Sequence, residues 1–136
     1  MAVRHNRQMS KPSDPILYEF DFEPETGEAV DIFPSLKWLR LPLPFMLGHI
    51  NVWLLEDSDG WAIVDTGIYS GITRKTWENV FNTALDGAPL SRVFVTHLHP
   101  DHAGCAGWLC GRFDVDLYMP RDEYLLCRIL VSDTGL

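Results

Sequence analysis

Thr96-His97-Leu98-His99-Pro100-Asp101-His102 is the stretch on which the reading of this chain turns. Three of the five histidines and one carboxylate fall between positions 97 and 102. In front of it runs Arg92-Val93-Phe94-Val95, an apolar, β-branched segment that reads as a buried strand. Behind it comes Ala103-Gly104-Cys105-Ala106-Gly107-Trp108-Leu109, which reads as the start of a tightly packed helix. Strand, polar loop and helix in that order place functional groups at the carboxyl edge of a sheet.

The residue types in the loop are metal donors. Neutral imidazole and carboxylate suit zinc, with iron and manganese as alternatives. His97 and His99 are two apart, so an extended or tightly turned loop points them the same way. Asp101 and His102 are adjacent and do not easily share that direction. The expected outcome is His97 and His99 on one metal and Asp101 and His102 on a second. Two metals about 3.5–4 Å apart hold a nucleophile and the developing charge together in hydrolytic sites. Pro100 stiffens the turn and biases His99 away from helical angles.

Working outward, the nearest upstream feature is a hairpin. Asn51–Glu56 and Trp61–Val64 read as its strands and Asp57-Ser58-Asp59-Gly60 as its turn. It ends in Asp65-Thr66-Gly67, where a carboxylate stands at the edge of a buried run and Gly67 allows a sharp bend. A carboxylate there can take a proton from a ligand imidazole or hold the next loop, so Asp65 is expected behind the metal ligands. Thr73–Leu85 reads as an amphipathic helix, with Ile72, Thr76, Trp77, Val80, Phe81 and Leu85 inward. Asp86-Gly87-Ala88-Pro89 ends it.

Farther upstream, Leu36–Leu41 alternates as a strand with Lys37 and Arg40 near solvent or an edge. Pro42 to His49 is apolar but stiffened by two prolines, which exclude a central strand and a helix interior. That loop either lines a pocket or packs on the core, and His49 reads as a hydrogen-bonding histidine, not a ligand. Glu23–Glu28 reads as a loop, Ile16–Phe22 as a short strand and residues 1–15 as a flexible polar terminus. Downstream, a glycine-punctuated helix over 102–111 is expected, its glycines allowing close approach to a sheet or to metal-binding backbone. A strand within Asp114–Met119 and a helix opening at Pro120 complete an α/β domain with a mixed sheet.

Composition bounds the function. The chain has 136 residues, 46% apolar and 22% charged, enough for one folded core. Its formal charge of −8 and the lack of a basic block argue against nucleic acid as a partner. Cys105, Cys110 and Cys127 form no disulfide or zinc-knuckle framework and read as reduced packing thiols. No apolar run is long enough for a membrane span and no signal peptide is visible, so the cytoplasm is the expected location.

The loop His97 to His102 resembles the metal-binding signature of the metallo-β-lactamase fold superfamily. Its context shares the likeness: Ile63-Val64-Asp65-Thr66-Gly67 upstream, Thr96 before and Ala103-Gly104 after. The resemblance covers roughly residues 36–130. It implies an αββα sandwich of which residues 16–136 form the amino-terminal half, a truncated domain. It implies two Zn2+ ions in the complete domain, the first on His97 and His99, the second on Asp101 and His102. Asp65 supports the site, and Asp101 also orients the nucleophile. The implied activity is metal-dependent hydrolysis of an ester, thioester or related bond in a small-molecule substrate. Iron-dependent oxygenase or oxidoreductase chemistry is the alternative within the same fold. The remaining ligands of such a site are expected beyond Leu136. A chain of this kind is therefore also expected as an inactive fragment, which self-associates as a homodimer or needs its carboxy-terminal half.

Overall fold

The structure, a computed structural model, describes residues 20–85 and 87–132. The expected flexible terminus over 1–15 lies outside these residues, as does most of the strand expected over 16–22. Phe20 to Phe22, its described end, is not in a strand.

One mixed sheet carries the fold. Its six strands lie side by side in chain order: β1 (Ala29–Phe33), β2 (Leu36–Pro42), β3 (His49–Asp57), β4 (Gly60–Val64), β5 (Leu90–Phe94) and β6 (Asp116–Tyr118). The first four run antiparallel to their neighbours, and β4, β5 and β6 are parallel. Antiparallel neighbours need only tight turns, such as Ser58-Asp59 between β3 and β4. Parallel neighbours need a crossover. Helix α1 (Gly71–Thr83) supplies it between β4 and β5, and α2 (Pro100–Ala103) with α3 (Ala106–Phe113) between β5 and β6. Helix α4 (Arg121–Ser132) follows β6.

The helices cover one face of the sheet. Leu39, Leu41, Val52, Leu54, Ile63 and Val93 point to that side and are fully buried with Trp77, Val80 and Leu109 from the helices. Trp77 is the largest side chain of this core. It stacks on Phe81, and its indole N–H donates to the Thr66 carbonyl at 2.8 Å. Period-two alternation sends the intervening residues to the opposite face. Pairing aligns Trp38, Trp53, Val64, Phe94 and Tyr118 across it in one row. A single mixed sheet with helices on one face is the αβ half of a metallo-β-lactamase-type sandwich, as the resemblance implies.

Several local expectations need correction. Strand β1 has no clear sequence signal, because Ala29-Val30-Asp31-Ile32-Phe33 is short and charged at its centre. It makes β2 an interior strand, so Lys37 and Arg40 are not at an edge. Both are mostly buried and paired, Lys37 with Asp31 at 2.6 Å and Arg40 with Glu23 at 2.8 Å. Pro42 closes that interior strand opposite His49, where its missing N–H falls at the last rung. Ile72 lies in the first turn of α1 and is exposed, while Thr73 is buried and shares the Ser70 cap. The helix expected over 102–111 is broken at Gly104-Cys105 into α2 and α3.

Candidate metal centre

The loop 96–102 leaves the carboxyl end of β5 beside the carboxyl end of β4, since parallel pairing sets Val64 level with Phe94. Asp65 follows at once. Its backbone takes a left-handed turn, φ 63, and its amide donates to the Phe94 carbonyl at 2.9 Å. That conformation is uncommon for a residue with a side chain, and Asp and Asn adopt it most readily. It turns the carboxylate into the loop. There it accepts the Thr96 amide at 2.8 Å and the Thr96 hydroxyl at 2.9–3.0 Å, and it meets His102 Nδ1 at 2.9 Å. Asp65 is 6% exposed, so these bonds replace the water it has lost.

This carboxylate also settles how two imidazoles present themselves. It accepts from His102, so His102 carries its proton on Nδ1 and offers an Nε2 lone pair. The Thr96 hydroxyl gives its proton to Asp65 and stands 2.9 Å from His97 Nδ1. His97 therefore donates through Nδ1 and also offers Nε2. His97 Nε2 lies 3.0 Å from His99 Nδ1, and the His97 and His102 rings are 3.9 Å apart between centroids. The three histidines thus meet in one cluster, closer than adjacent but divergent pairs would suggest. Asp101 flanks it, its Oδ2 3.6 Å from His102 Nε2, too far for a hydrogen bond.

In the sequence Thr66 stands out only as part of a motif, and its role emerges here. Fully buried, it donates to the His102 carbonyl from both its amide (2.8 Å) and its hydroxyl (2.7 Å). The Cys105 amide donates back to the same hydroxyl at 3.1 Å. Trp77 holds the Thr66 carbonyl, so the core reaches His102 through one residue. Two glycines make the close approach possible. A Cβ on Gly67 would meet Leu41 and Thr73 side chains at 2.7 and 2.8 Å, and one on Gly104 would collide with the Pro100 carbonyl. Gly107 and Gly111 have open space instead and serve no such contact.

The remaining candidates lie elsewhere. His49 opens β3 opposite Pro42 and has no bond to the cluster among the described residues. Loop 43–48 is a hairpin tip: Leu43 is buried, while Phe45, Met46 and Leu47 stand in solvent. Cys105 is buried among apolar neighbours, which pushes its thiol up to about 11, and burial likewise raises Cys110. Neither is poised as a thiolate ligand, in keeping with the packing reading. Among the described residues no helix is long and apolar enough to cross a membrane.

The donor chemistry fits a divalent metal in part. His102 is supported by the Asp65 carboxylate, the usual support for a ligating histidine, and His97 by the Thr96 hydroxyl that the same carboxylate holds. Yet among the described residues no three His, Cys, Asp or Glu side chains are placed to hold one ion.

With this geometry in hand, comparison with known proteins places the chain. The metallo-beta-lactamase superfamily profile matches residues 46–128, and the chain belongs to that superfamily. A crystal structure of a beta-lactamase domain protein from Burkholderia ambifaria is 46% identical with a TM-score of 0.78, covering 82% of this chain and 35% of that one. A metallo-beta-lactamase family protein from Thermus thermophilus is 28% identical with a TM-score of 0.60, covering 69% of this chain and 31% of that one. A metallo-beta-lactamase from Pontibacter korlensis, 17% identical with a TM-score of 0.63, covers 79% of this chain and 49% of that one, and shares the fold. The chain thus spans about a third of the length of the first two. No curated protein matches it.

Proposed function

We propose that this chain carries the first half of a two-metal hydrolase site, with His97 and His99 as ligands of one ion and Asp101 and His102 of the other. The observation that carries the reading is the Asp65 carboxylate, which holds Thr96 and His102 at once. It engages Nδ1 of His102 directly and that of His97 through Thr96, and so leaves the Nε2 atoms turned outward, that of His97 against His99 Nδ1. A purely structural loop needs no such orientation of imidazoles. Zinc is the expected ion, and iron or manganese suit the same donors. When bound, such an ion supplies a water of lowered pKa and polarises the bond under attack. Asp101 orients the attacking water through its carboxylate, while Asp65 and Thr66 keep the histidines in place. The substrate is a small molecule with an ester, thioester or related bond. Hairpin tip 43–48 lies beyond the sheet edge that carries Asp65, and its exposed apolar residues suit contact with such a substrate.

A second reading has its own observation. The row Trp38, Trp53, Val64, Phe94 and Tyr118 is a sheet face with no helix upon it among the described residues, which suits a chain that is inactive until a carboxy-terminal half or a second copy covers it. Metal content and solution mass of untagged protein test both. About two metal ions per chain, with hydrolysis in an ester and thioester screen, is the result expected of a completed site. A folded chain without metal at any mass overturns the reading of His97, His99, Asp101 and His102 as sufficient ligands. Bound iron with oxygen consumption and no hydrolysis replaces hydrolysis with oxygenase chemistry.

A further inference from the structure

The loop that bears His97 and His99 is held from behind by a residue outside the site. Leu98 lies between the two histidines, and its backbone amide donates to Glu123 Oε2 at 2.8 Å. Glu123 sits in the first turn of α4, half-buried, and the Leu98 amide is its hydrogen-bond partner among the described residues. A second tether lies just before it: the Val95 amide donates to the Tyr118 carbonyl of β6 at 2.9 Å. The segment 118–123 therefore grips the ligand loop twice, at its root and at its turn.

We infer that Glu123 is a positioning residue for the metal-binding loop, an inference that rests on the metal-site reading above. A backbone amide flanked by two imidazoles must be fixed if both rings are to converge. A carboxylate accepts such an amide more strongly than a neutral oxygen does. Removing it leaves a partly buried donor unpaired, and Leu98 then turns toward water, carrying His97 and His99 apart. The sequence shows Glu123 only as an acid at the positive end of a helix, a place where acids are common for a different reason. The carboxylate does not use that position to cap its own helix; it reaches across to another segment.

The test is zinc titration of the full 136-residue chain by calorimetry, alongside hydrogen exchange at the Leu98 amide. Glu123→Ala is expected to weaken zinc binding about tenfold or more and to speed Leu98 exchange by a similar factor. Glu123→Asp, too short by one methylene, moves both in the same direction and serves if the alanine variant fails to fold. Glu123→Gln keeps an acceptor and recovers most of the affinity. Val80→Ala, a core truncation remote from the loop, sets the stability loss that leaves zinc affinity unchanged. Affinity for Glu123→Ala or Glu123→Asp within about twofold of the parent overturns the inference, whatever exchange does. A parent chain that takes up no zinc overturns the reading of His97, His99, Asp101 and His102 as sufficient ligands, and Leu98 exchange unchanged in Glu123→Ala then overturns the inference.

Discussion

The two faces of the sheet both carry apolar side chains, but of different kinds and in different company. The helix-covered face is aliphatic: Leu39, Leu41, Val52, Leu54, Ile63 and Val93, all fully buried. The opposite face is aromatic: Trp38, Trp53, Phe94 and Tyr118, with Tyr118 at 44% exposure and Trp38 stacked on Trp53 at 6.0 Å. A sheet with one face in solvent alternates apolar with polar residues. This face carries Arg40, Asn51, Arg92 and Asp116 as well, but its central row is apolar from β2 to β6 without a break. Contiguous apolar surface of this kind signals a contact still to be made. The histidine loop leaves the sheet edge where the two faces meet, and the Thr66–Trp77 bond ties it to the packed one.

The strongest way to break the comparison is to empty the packed face. Trp77→Ala removes the largest core side chain and the donor to Thr66 together. It is expected to cost about 3–5 kcal/mol in urea unfolding, near the whole stability of a small domain. A loss under about 1 kcal/mol would mean that the helix layer is not what holds the sheet.

Next comes the joint between the faces. Asp65→Ala strips two partners from Thr96 and one from His102, and is expected to cost about 2–3 kcal/mol and to weaken zinc binding by about tenfold or more. Asp65→Asn tolerates the same left-handed turn but accepts through one oxygen only, so it separates backbone from hydrogen bonding. Zinc affinity equal to the parent's in both variants would remove Asp65 from the site.

Cysteine chemistry sharpens the comparison without touching either face. The Cys105 thiol is raised from an ordinary 9.0 to about 11 by burial, so the folded chain holds its proton to higher pH than the unfolded chain does. Its contribution is fully present below pH 9 and is lost as pH rises toward 11. The slope is at most about 1.4 kcal/mol per pH unit. Urea unfolding followed across that window shows it, and Cys105→Ala abolishes that share of the slope. At about pH 8, below both values, Cys127 is expected to alkylate faster than Cys105 in the native chain. The reverse order would mean that Cys105 is not sealed. On the open face, Trp53→Ala is expected to cost about 1 kcal/mol, mainly its stacking on Trp38. A loss as large as that of Trp77→Ala would show that this face is already covered in solution.

Much of this is legible in residue order, for a physical reason. Strand β2 carries a period-two pattern, β3 and β4 a hairpin signal around Asp57–Gly60 and β5 an apolar, β-branched run, and the polar cluster stands out directly after that run. Asp65 is legible because a carboxylate at the end of a buried run demands a partner. Thr66 and Glu123 are not. Their roles depend on backbone groups of His102 and Leu98, distant in sequence, and a backbone group leaves no mark on residue identity. Strand β1 escapes the pattern because its stability comes from pairing with β2, not from its own residues. Ile72 reads as inward because helical spacing fixes relative angles, while the rotation of the helix is set by what Thr73 and Trp77 pack against.

The smallest effect is expected at the hairpin tip, and it separates two meanings of exposure. Met46 is wholly exposed, with Phe45 and Leu47 each more than 60% exposed beside it. An apolar side chain without contacts contributes no burial, so Met46→Ser is expected to change stability by less than about 0.5 kcal/mol. The backbone of the tip does not depend on it either: Gly48 takes the left-handed turn, the Leu43 amide donates to the Gly48 carbonyl and the Gly48 amide donates to the Phe45 carbonyl. The aromatic row of the opposite face is half-buried except at Tyr118, and its members pack on one another, Trp38 on Trp53 and Phe94 on Tyr118. Met46 stacks on nothing among the described residues. A stability loss above about 1 kcal/mol in Met46→Ser would place the tip with the aromatic row, as surface awaiting a protein layer, and would remove it from the substrate side of the site.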